Sequence, residues 1–127
     1  MSVLILLIED NKDICESVTE ILELENFKVV SADNGVSGIK MIEEHRPDMI
    51  LCDIYMPDMD GYTVCGLVKD NPETAEIPFI FLTAKAEQKD REKALLLGCD
   101  DYLVKPFDNV KLLDTIRSCF DRKGKVY

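Results

Sequence analysis

The chain has 127 residues, the size of one domain, and its 46% of apolar residues can form one hydrophobic core without disulfide bonds. Its 25 acidic and 15 basic residues give a net charge of −10, which argues against direct binding to DNA or to an anionic membrane. Five cysteines without a C-x-x-C pair argue against a zinc or redox motif and favour reduced thiols in a cytoplasmic protein. No apolar segment is long enough to span a bilayer, and no secretory signal is recognisable.

Short apolar runs alternate with amphipathic segments along the whole chain. The runs are typical of strands buried on both faces of a parallel sheet, and they predict five strands, at residues 3–8, 27–32, 49–52, 79–82 and 101–104. Helical spacing, cap residues and breakers predict five helices, which begin after Asn11 and span 34–44, 61–69, 87–97 and 108–120. This alternation indicates an α/β fold, a parallel sheet with helices on both faces.

The helical spacing also predicts which apolar side chains face the sheet. They are Ile14, Val18, Ile21 and Leu22 in the first helix, Val36, Ile39 and Ile42 in the second, and Val110, Leu113, Ile116 and Phe120 in the last. Cys52 lies in an apolar run and is predicted to be buried. The three leucines 95–97 cannot all face inward at helical spacing, so we expect Leu96 to be exposed.

Polar residues follow four of the predicted strands at the edge where ligands bind in open α/β sheets. Glu9 and Asp10 follow the first strand, and Asp53 follows the third. Thr83 follows the fourth strand and Lys105 the fifth. The sequence therefore predicts that three carboxylates, one hydroxyl and one ammonium group converge at this edge.

Such a cluster has a definite chemistry. Close carboxylates repel one another, and a hard divalent cation with oxygen ligands, such as Mg²⁺, relieves the repulsion. Asp53 can act as a nucleophile that accepts a phosphoryl group, while Lys105 and Thr83 can hold the phosphoryl oxygens. Taken singly, Asp10 could be only a helix cap, and Lys105 and Thr83 could be ordinary surface and strand-end residues. The combination favours a phosphoryl-accepting site.

Four motifs resemble the response-regulator receiver family of two-component signalling, and together they cover nearly the whole chain. They are LLIEDN at 6–11, ILCDIYMPDMDGY at 50–62, FIFLTA at 79–84 and DYLVKPF at 101–107. The resemblance implies a flavodoxin-like (βα)5 fold with strand order 2-1-3-4-5. It also implies a receiver domain over residues 1–122, with 123–127 as a C-terminal tail or the start of a linker.

The resemblance assigns roles to the residues at the strand ends. It implies that Asp53 accepts the phosphoryl group from the phosphohistidine of a histidine kinase or phosphotransfer protein. Asp10 would bind Mg²⁺ directly and Glu9 largely through water, together with Asp53 and the backbone carbonyl of Tyr55. Mn²⁺ is the alternative cation. Lys105 would bind the phosphoryl group.

Other implied features concern signalling. Lys105 and Pro106 would be joined by a cis peptide bond, and Thr83 and Tyr102 would form a switch pair. Phosphorylation would draw Thr83 towards Asp53 and turn Tyr102 inward, which would regulate a downstream protein or output domain. The protein would be a monomer or a phosphorylation-dependent dimer, and it would catalyse only its own phosphorylation and dephosphorylation.

Two further positions are expected to set the lifetime of the phosphoryl group. The resemblance places Tyr55 and Lys85 beside the path of the hydrolytic water, and the bulk of Tyr55 predicts slow dephosphorylation. The single histidine, His45, lies at a helix end and is predicted to be a surface residue rather than a phosphotransfer group.

Three other functions fit the sequence less well. A phosphatase of the haloacid dehalogenase type would need a second acid where Tyr55 stands. A nucleotide or flavin binder would need a glycine-rich loop after the first strand, and none is present. A scaffold that binds proteins without phosphorylation would be expected to lack Asp53, Asp10 or Lys105, and all three are present.

Overall fold

The computed structural model describes residues 2–84 and 87–124. Five parallel strands form one sheet in the order β2-β1-β3-β4-β5, which confirms the predicted flavodoxin-like topology. The strands are β1 Leu4–Ile8, β2 Lys28–Ala32, β3 Met49–Asp53, β4 Phe79–Thr83 and β5 Asp101–Val104. The helices are α1 Lys12–Leu24, α2 Gly35–His45, α3 Gly61–Asp70, α4 Gln88–Leu96 and α5 Asn109–Arg122.

The sheet has an apolar core on each face, because successive side chains of a strand point to opposite sides. In β1, Ile5 and Leu7 pack with α1 and α5, whereas Leu6 and Ile8 pack on the side of α2, α3 and α4. β3 and β4 are buried along their whole length, as their continuous apolar runs predict. The predicted burial of Cys52 is confirmed.

Side-chain caps begin four of the five helices at the carboxyl edge of the sheet. Asn11, Asn34, Asp60 and Asp108 each accept a hydrogen bond from the backbone N–H three residues later. These caps fix where the chain turns from strand to helix. α4 differs, because its N-cap residue Glu87 makes no side-chain cap hydrogen bond.

The helix faces correct two predictions from the sequence. Val36 is 48% exposed, because α2 buries the stripe of Gly35, Gly38 and Ile42 instead. A Cβ atom on Gly38 would lie 2.5 Å from Cδ1 of Ile8, so the glycine lets α2 approach β1.

Val110 is also exposed, at 68%, because it lies beside the buried stripe of α5 rather than within it. That stripe consists of Leu112, Leu113, Thr115, Ile116, Cys119 and Phe120. In α4, the predicted exposure of Leu96 is confirmed at 89%, and Leu95 is exposed as well. His45 lies on the surface, as predicted.

The amino edge of the sheet carries an ion cluster that the sequence analysis did not predict. Asp100 precedes β5, and its carboxylate accepts the N–H of Phe79 at 2.7 Å. The same carboxylate pairs with Lys69 Nζ at 3.3 Å and Lys123 Nζ at 2.9 Å. These contacts join α3, β4, β5 and the end of α5.

Among the helices within residues 2–84 and 87–124, none combines the length and the apolar character that a membrane-spanning segment requires.

Candidate phosphoryl-acceptor site

The parallel strands bring their polar end residues to one edge of the sheet. Asp53 is the last residue of β3, and Glu9 follows β1, where its N–H donates to the carbonyl of Ala32 at 3.0 Å. Lys105 follows β5, and its N–H donates to the carbonyl of Thr83 at 2.7 Å. These ladder hydrogen bonds hold the residues at fixed positions relative to one another.

Lys105 bridges two of the acidic residues. Its Nζ donates to Oε1 of Glu9 at 2.5 Å and to Oδ2 of Asp53 at 3.1 Å. Glu9 is 1% exposed and Asp53 is 7% exposed, so both carboxylates depend on partners within the protein. One ammonium group thus neutralises part of the charge of a buried acidic cluster.

The remaining negative charge fits a divalent cation. Glu9, Asp10 and Asp53 each offer a carboxylate oxygen, and the three oxygens lie within 4.8 Å of one another. Among residues 2–84 and 87–124, Lys105 supplies the one ammonium that pairs with these carboxylates. Oxygen-only ligands and an exposed Asp10, which leaves room for water, are typical of a Mg²⁺ site.

Burial shifts the acidity of Glu9. The pKa of its carboxyl is raised to about 7, chiefly by desolvation and then by the hydrogen bond with Asp53, while the hydrogen bond from Lys105 opposes the rise. The backbone N–H of Asn11 also donates to Glu9 Oε2 at 3.2 Å. The cluster is therefore electrostatically crowded, which is the condition under which a cation binds.

The loop after Asp53 is held in place by backbone contacts. A Cβ atom on Gly61 would lie 2.2 Å from the carbonyl oxygen of Asp53, so only glycine allows α3 to begin this close to the acceptor. The N–H of Gly61 donates to the carbonyl of Ile54 at 2.7 Å. These contacts fix the backbone at Asp53.

Asp58 attaches the same loop to α2. Its carboxylate accepts the N–H groups of Gly35 at 3.1 Å and Val36 at 3.0 Å, at the N-terminus of that helix. The hydrogen bond from Val36 lowers the pKa of Asp58. No local pattern indicates this role of Asp58, although the residue lies inside the MPDMDG motif.

Thr83 and Tyr102 are in contact. Thr83 is fully buried at the end of β4, and its side chain shares a hydrogen bond with Tyr102. Burial raises the pKa of Tyr102, and this hydrogen bond opposes the rise. The guanidinium of Arg91 lies 5.6 Å from the centre of the Tyr102 ring. The two residues that the resemblance implies as a switch pair therefore meet between β4 and α4.

Three further expectations concern the Lys105–Pro106 peptide bond, Tyr55 and Lys85. The peptide bond between Lys105 and Pro106 is cis, which confirms the expectation. Tyr55 is 47% exposed, and its side chain shares a hydrogen bond with Tyr62. Lys85 lies outside the described residues, so its predicted role stays a prediction.

A groove of about 570 Å³ opens beside the site, between α1 and the start of α5. Its walls are largely apolar and include Ile14, Val18 and Phe107, and Lys105 stands among the lining residues. An apolar surface next to the acceptor edge gives a protein partner a place to bind close to Asp53.

Comparison with known proteins identifies the class. Residues 5–117 match the family described as the response regulator receiver domain, so the chain belongs to that family. It is a receiver domain of the kind found in two-component response regulators, which are signalling proteins.

Individual relatives agree with this assignment. The chain is 34% identical to RpaA of Synechocystis sp., a DNA-binding transcriptional regulator, over 96% of this chain and 51% of RpaA. It is 32% identical to the polar-differentiation response regulator DivK of Brucella anthropi, over 90% of this chain and 93% of DivK. The chain spans about half the length of several relatives that it matches.

A solved structure matches as well. The signal receiver domain of a signal transduction histidine kinase from Syntrophus aciditrophicus has a TM-score of 0.89 and 30% identity, covering 99% of this chain and 96% of that one. Receiver domains thus occur in proteins of different kinds and lengths. The similarity here is to the receiver domain itself.

Proposed function

We propose that Asp53 accepts a phosphoryl group from the phosphohistidine of a histidine kinase or phosphotransfer protein. The observation that carries the proposal is Lys105, which bridges the buried carboxylates of Glu9 and Asp53 within a cluster of three acids. A lysine in this position can bind a phosphoryl oxygen as soon as one arrives at Asp53.

The transfer is a displacement at phosphorus. A carboxylate oxygen of Asp53 forms a P–O bond, while the P–N bond of the donor breaks and its electron pair returns to the imidazole nitrogen. Lys105 neutralises charge on the transferred oxygens, and Thr83 can donate a hydrogen bond to one of them. The backbone held by Gly61 keeps Asp53 in line for the attack.

Asp10, Asp53 and the backbone carbonyl of Tyr55 would hold the cation, with Glu9 acting through water. When bound, Mg²⁺ or Mn²⁺ supplies a positive charge that offsets the repulsion between acceptor and phosphoryl oxygens. The chain's own residues supply the oxygen ligands and exclude bulk water from Glu9, which is almost fully buried.

Phosphorylation would act on the contact between Thr83 and Tyr102. A charged hydrogen bond from Thr83 contributes roughly 1.5–3 kcal/mol. Moving a population from 1:99 to 99:1 takes about 5.5 kcal/mol. Thr83 alone is therefore insufficient, and Lys105 and the cation must contribute to the switch.

The apolar groove beside Lys105 is the surface that we propose for binding of the phosphoryl donor. We propose that the donor kinase or phosphotransfer protein binds this groove, since its phosphohistidine must come within bonding distance of Asp53. The tyrosine and arginine on the α4 side belong to a different face. The donor and the downstream protein would thus contact different faces.

Residues 1–122 form the receiver domain in this proposal, and 123–127 form a tail or the start of a linker to an output domain. The receiver would regulate its partner as a monomer or as a phosphorylation-dependent dimer and catalyse only its own phosphorylation and dephosphorylation. The net charge of −10 argues against direct DNA binding by this domain. All five cysteines are free thiols, which supports a cytoplasmic location.

Intact-protein mass spectrometry tests the acceptor role. The protein is incubated with acetyl phosphate and Mg²⁺, and the wild type is expected to gain the mass of one phosphoryl group. Asp53→Ala should gain none, while Asp114→Ala, which changes an exposed acid on α5, should match the wild type. A wild type that gains no mass with a competent donor, or a phosphorylated Asp53→Ala variant, would overturn the proposal.

A further inference from the structure

Asp90 in α4 has a buried carboxylate oxygen without a partner. The residue is 9% exposed. Its Oδ2 is the single buried side-chain nitrogen or oxygen atom within residues 2–84 and 87–124 that lacks a hydrogen bond. Its other oxygen, Oδ1, lies 3.5 Å from the hydroxyl of Tyr62. A buried acceptor without a donor costs free energy, so this arrangement favours any state that brings a donor to Oδ2.

Tyr102 of β5 lies beside the same helix. Its ring lies against α4, where the guanidinium of Arg91, the neighbour of Asp90 in the chain, is 5.6 Å from the ring centre. Its hydroxyl is held by Thr83 on the other side. The negative charge of Asp90 also contributes to the raised pKa of both Tyr102 and Tyr62, although burial is the main cause.

Tyr62 is in a different situation, because its ring is fixed. It packs edge-to-face on Phe81, with ring centres 5.4 Å apart, and the ammonium of Lys93 lies 4.3 Å from its ring centre. Tyr62 is 8% exposed, and its hydroxyl stands on the Oδ1 side of Asp90. Oδ2 is therefore left for another donor.

We propose that Oδ2 of Asp90 accepts the hydroxyl of Tyr102 when Thr83 turns towards phosphorylated Asp53. This inference rests on the function proposed above. Thr83 leaves its hydrogen bond with Tyr102 in order to bind the phosphoryl oxygen, and the tyrosine hydroxyl then donates to the carboxylate of α4. One hydrogen bond replaces another, and a buried charge gains the donor that it lacks in the present state.

The exchange gives α4 a role in signalling. α4 has no side-chain N-cap hydrogen bond, so its position depends on contacts such as those of Asp90. A partner that binds α4 in the exchanged state would also strengthen phosphoryl binding at Asp53, since coupling between two sites is reciprocal.

A double-mutant cycle tests the exchange, with binding of beryllium fluoride in the presence of Mg²⁺ as the probe of the phosphorylated state. Titration calorimetry measures the affinity of the wild type, Asp90→Asn, Tyr102→Phe and the double variant. In Asp90→Asn, the contact with Tyr62 keeps the amide oxygen on its side, so an N–H group replaces Oδ2; it cannot accept from the Tyr102 hydroxyl and can form at most a weaker neutral hydrogen bond as donor. Each single variant should bind about tenfold more weakly, and the double variant should be no weaker than either.

Two controls separate this role from a structural one. Glu92→Gln changes an exposed carboxylate on the same helix and should leave the affinity unchanged. In thermal unfolding without the ligand, Asp90→Asn should be at least as stable as the wild type, because it removes an unpaired buried charge. A residue with a merely structural role would lower the stability in both states.

The outcomes are distinct. If the two single effects add in the double variant, or if Asp90→Asn binds as tightly as the wild type, Asp90 does not accept the Tyr102 hydroxyl. If Asp90→Asn proves unstable without ligand, the carboxylate is structural and the inference also fails. If the wild type itself does not bind the probe, the proposed function fails at Asp53, upstream of Asp90.

Discussion

Both edges of the sheet carry a buried cluster of carboxylates and lysines, but their charge balance is opposite. At the carboxyl edge, Glu9, Asp10 and Asp53 form a group of carboxylates, and in the described part of the chain the ammonium of Lys105 is the one that pairs with it, at Glu9 and Asp53. At the amino edge, the one carboxylate of Asp100 lies between two ammonium groups and a backbone N–H. Within the described residues, carboxylates therefore outnumber ammonium groups in the first cluster, and ammonium groups outnumber carboxylates in the second.

The contrast shows how ion clusters serve function or stability. Lys69 at the amino edge also donates to the carbonyls of Ala75 and Ile77, at 3.1 and 2.9 Å, so its ammonium has three partners within the protein. This cluster is complete and holds elements together. The carboxyl-edge cluster keeps an excess of carboxylates in the described part of the chain, and this excess fits the cation proposed above.

The largest effect is expected when the carboxylate of the amino-edge cluster is removed. Asp100→Ala should lower the free energy of unfolding by about 3–5 kcal/mol, because it leaves the buried ammonium of Lys69 without its carboxylate. Urea unfolding followed by circular dichroism measures the loss. Asp114→Ala, at an exposed position on α5, should change it by less than about 0.5 kcal/mol. Equal losses in the two variants would contradict a structural role for Asp100.

Mg²⁺ should distinguish the two clusters next. At ten times its dissociation constant, the cation should stabilise the wild type by about 1.4 kcal/mol, because it binds only the folded protein. Asp53→Asn removes a charged ligand and should lose most of this gain, whereas Asp100→Asn should keep it. Thermal unfolding with and without Mg²⁺ gives the comparison. Stabilisation that persists in Asp53→Asn would place the cation elsewhere.

Without Mg²⁺, the same acceptor variant should have the opposite effect. Asp53→Asn should raise the free energy of unfolding by about 1 kcal/mol, because two close carboxylates repel and an amide can instead donate a hydrogen bond to Glu9. Lys105 offsets much of the repulsion, which keeps the gain small. Urea unfolding in a chelator measures it. A clear loss of stability would show that Asp53 is structural in the same sense as Asp100.

The smallest effect is the pH dependence of the amino-edge cluster. Burial raises the pKa of Asp100, but the hydrogen bond from the Phe79 N–H and the pairs with Lys123 and Lys69 outweigh it, so the folded pKa is below the ordinary value of 3.8. A lowered folded pKa stabilises the protein above that value, and the contribution is lost as the pH falls below 3.8 through the folded pKa.

Acid titration of stability checks this sign. The wild type should lose stability over that acidic range more steeply than Asp100→Asn, which has no carboxyl group to titrate there. Parallel curves for the two proteins would mean that Asp100 titrates alike in the folded and unfolded chains.

The strands and the site positions were predictable because each depends on a local pattern. A strand buried on both faces must be apolar throughout, so the runs that form β1, β3 and β4 stand out. Parallel strands then bring the residues after them to one edge, which is why Glu9, Asp53 and Lys105 could be placed together without coordinates.

The two wrong predictions, Val36 and Val110, concern the rotation of a helix about its own axis, which decides which side chains face the sheet. In α2 the packing is decided by Gly35 against Met59 and by Gly38 against Ile8, where a Cβ atom would crowd the neighbour, and Val36 is left exposed. In α5 the buried stripe is centred on Ile116, and Val110 lies beside it. Short helices with several apolar residues fit more than one rotation, and only the sheet selects among them.

By itself, the sequence determined the order of the strands and helices, the receiver-family motifs and the acidic edge, because these follow from hydrophobic runs and from residues that adjoin them. The tertiary structure alone decided the amino-edge cluster, the attachment of Asp58 to α2 and the unpaired oxygen of Asp90. The contacts of Asp100 and Asp58 that join these elements link residues 21 to 31 positions apart in the chain, as in Phe79 with Asp100 and Lys69 with Asp100. No local pattern encodes such pairs, since they form only when the packed sheet brings distant segments together.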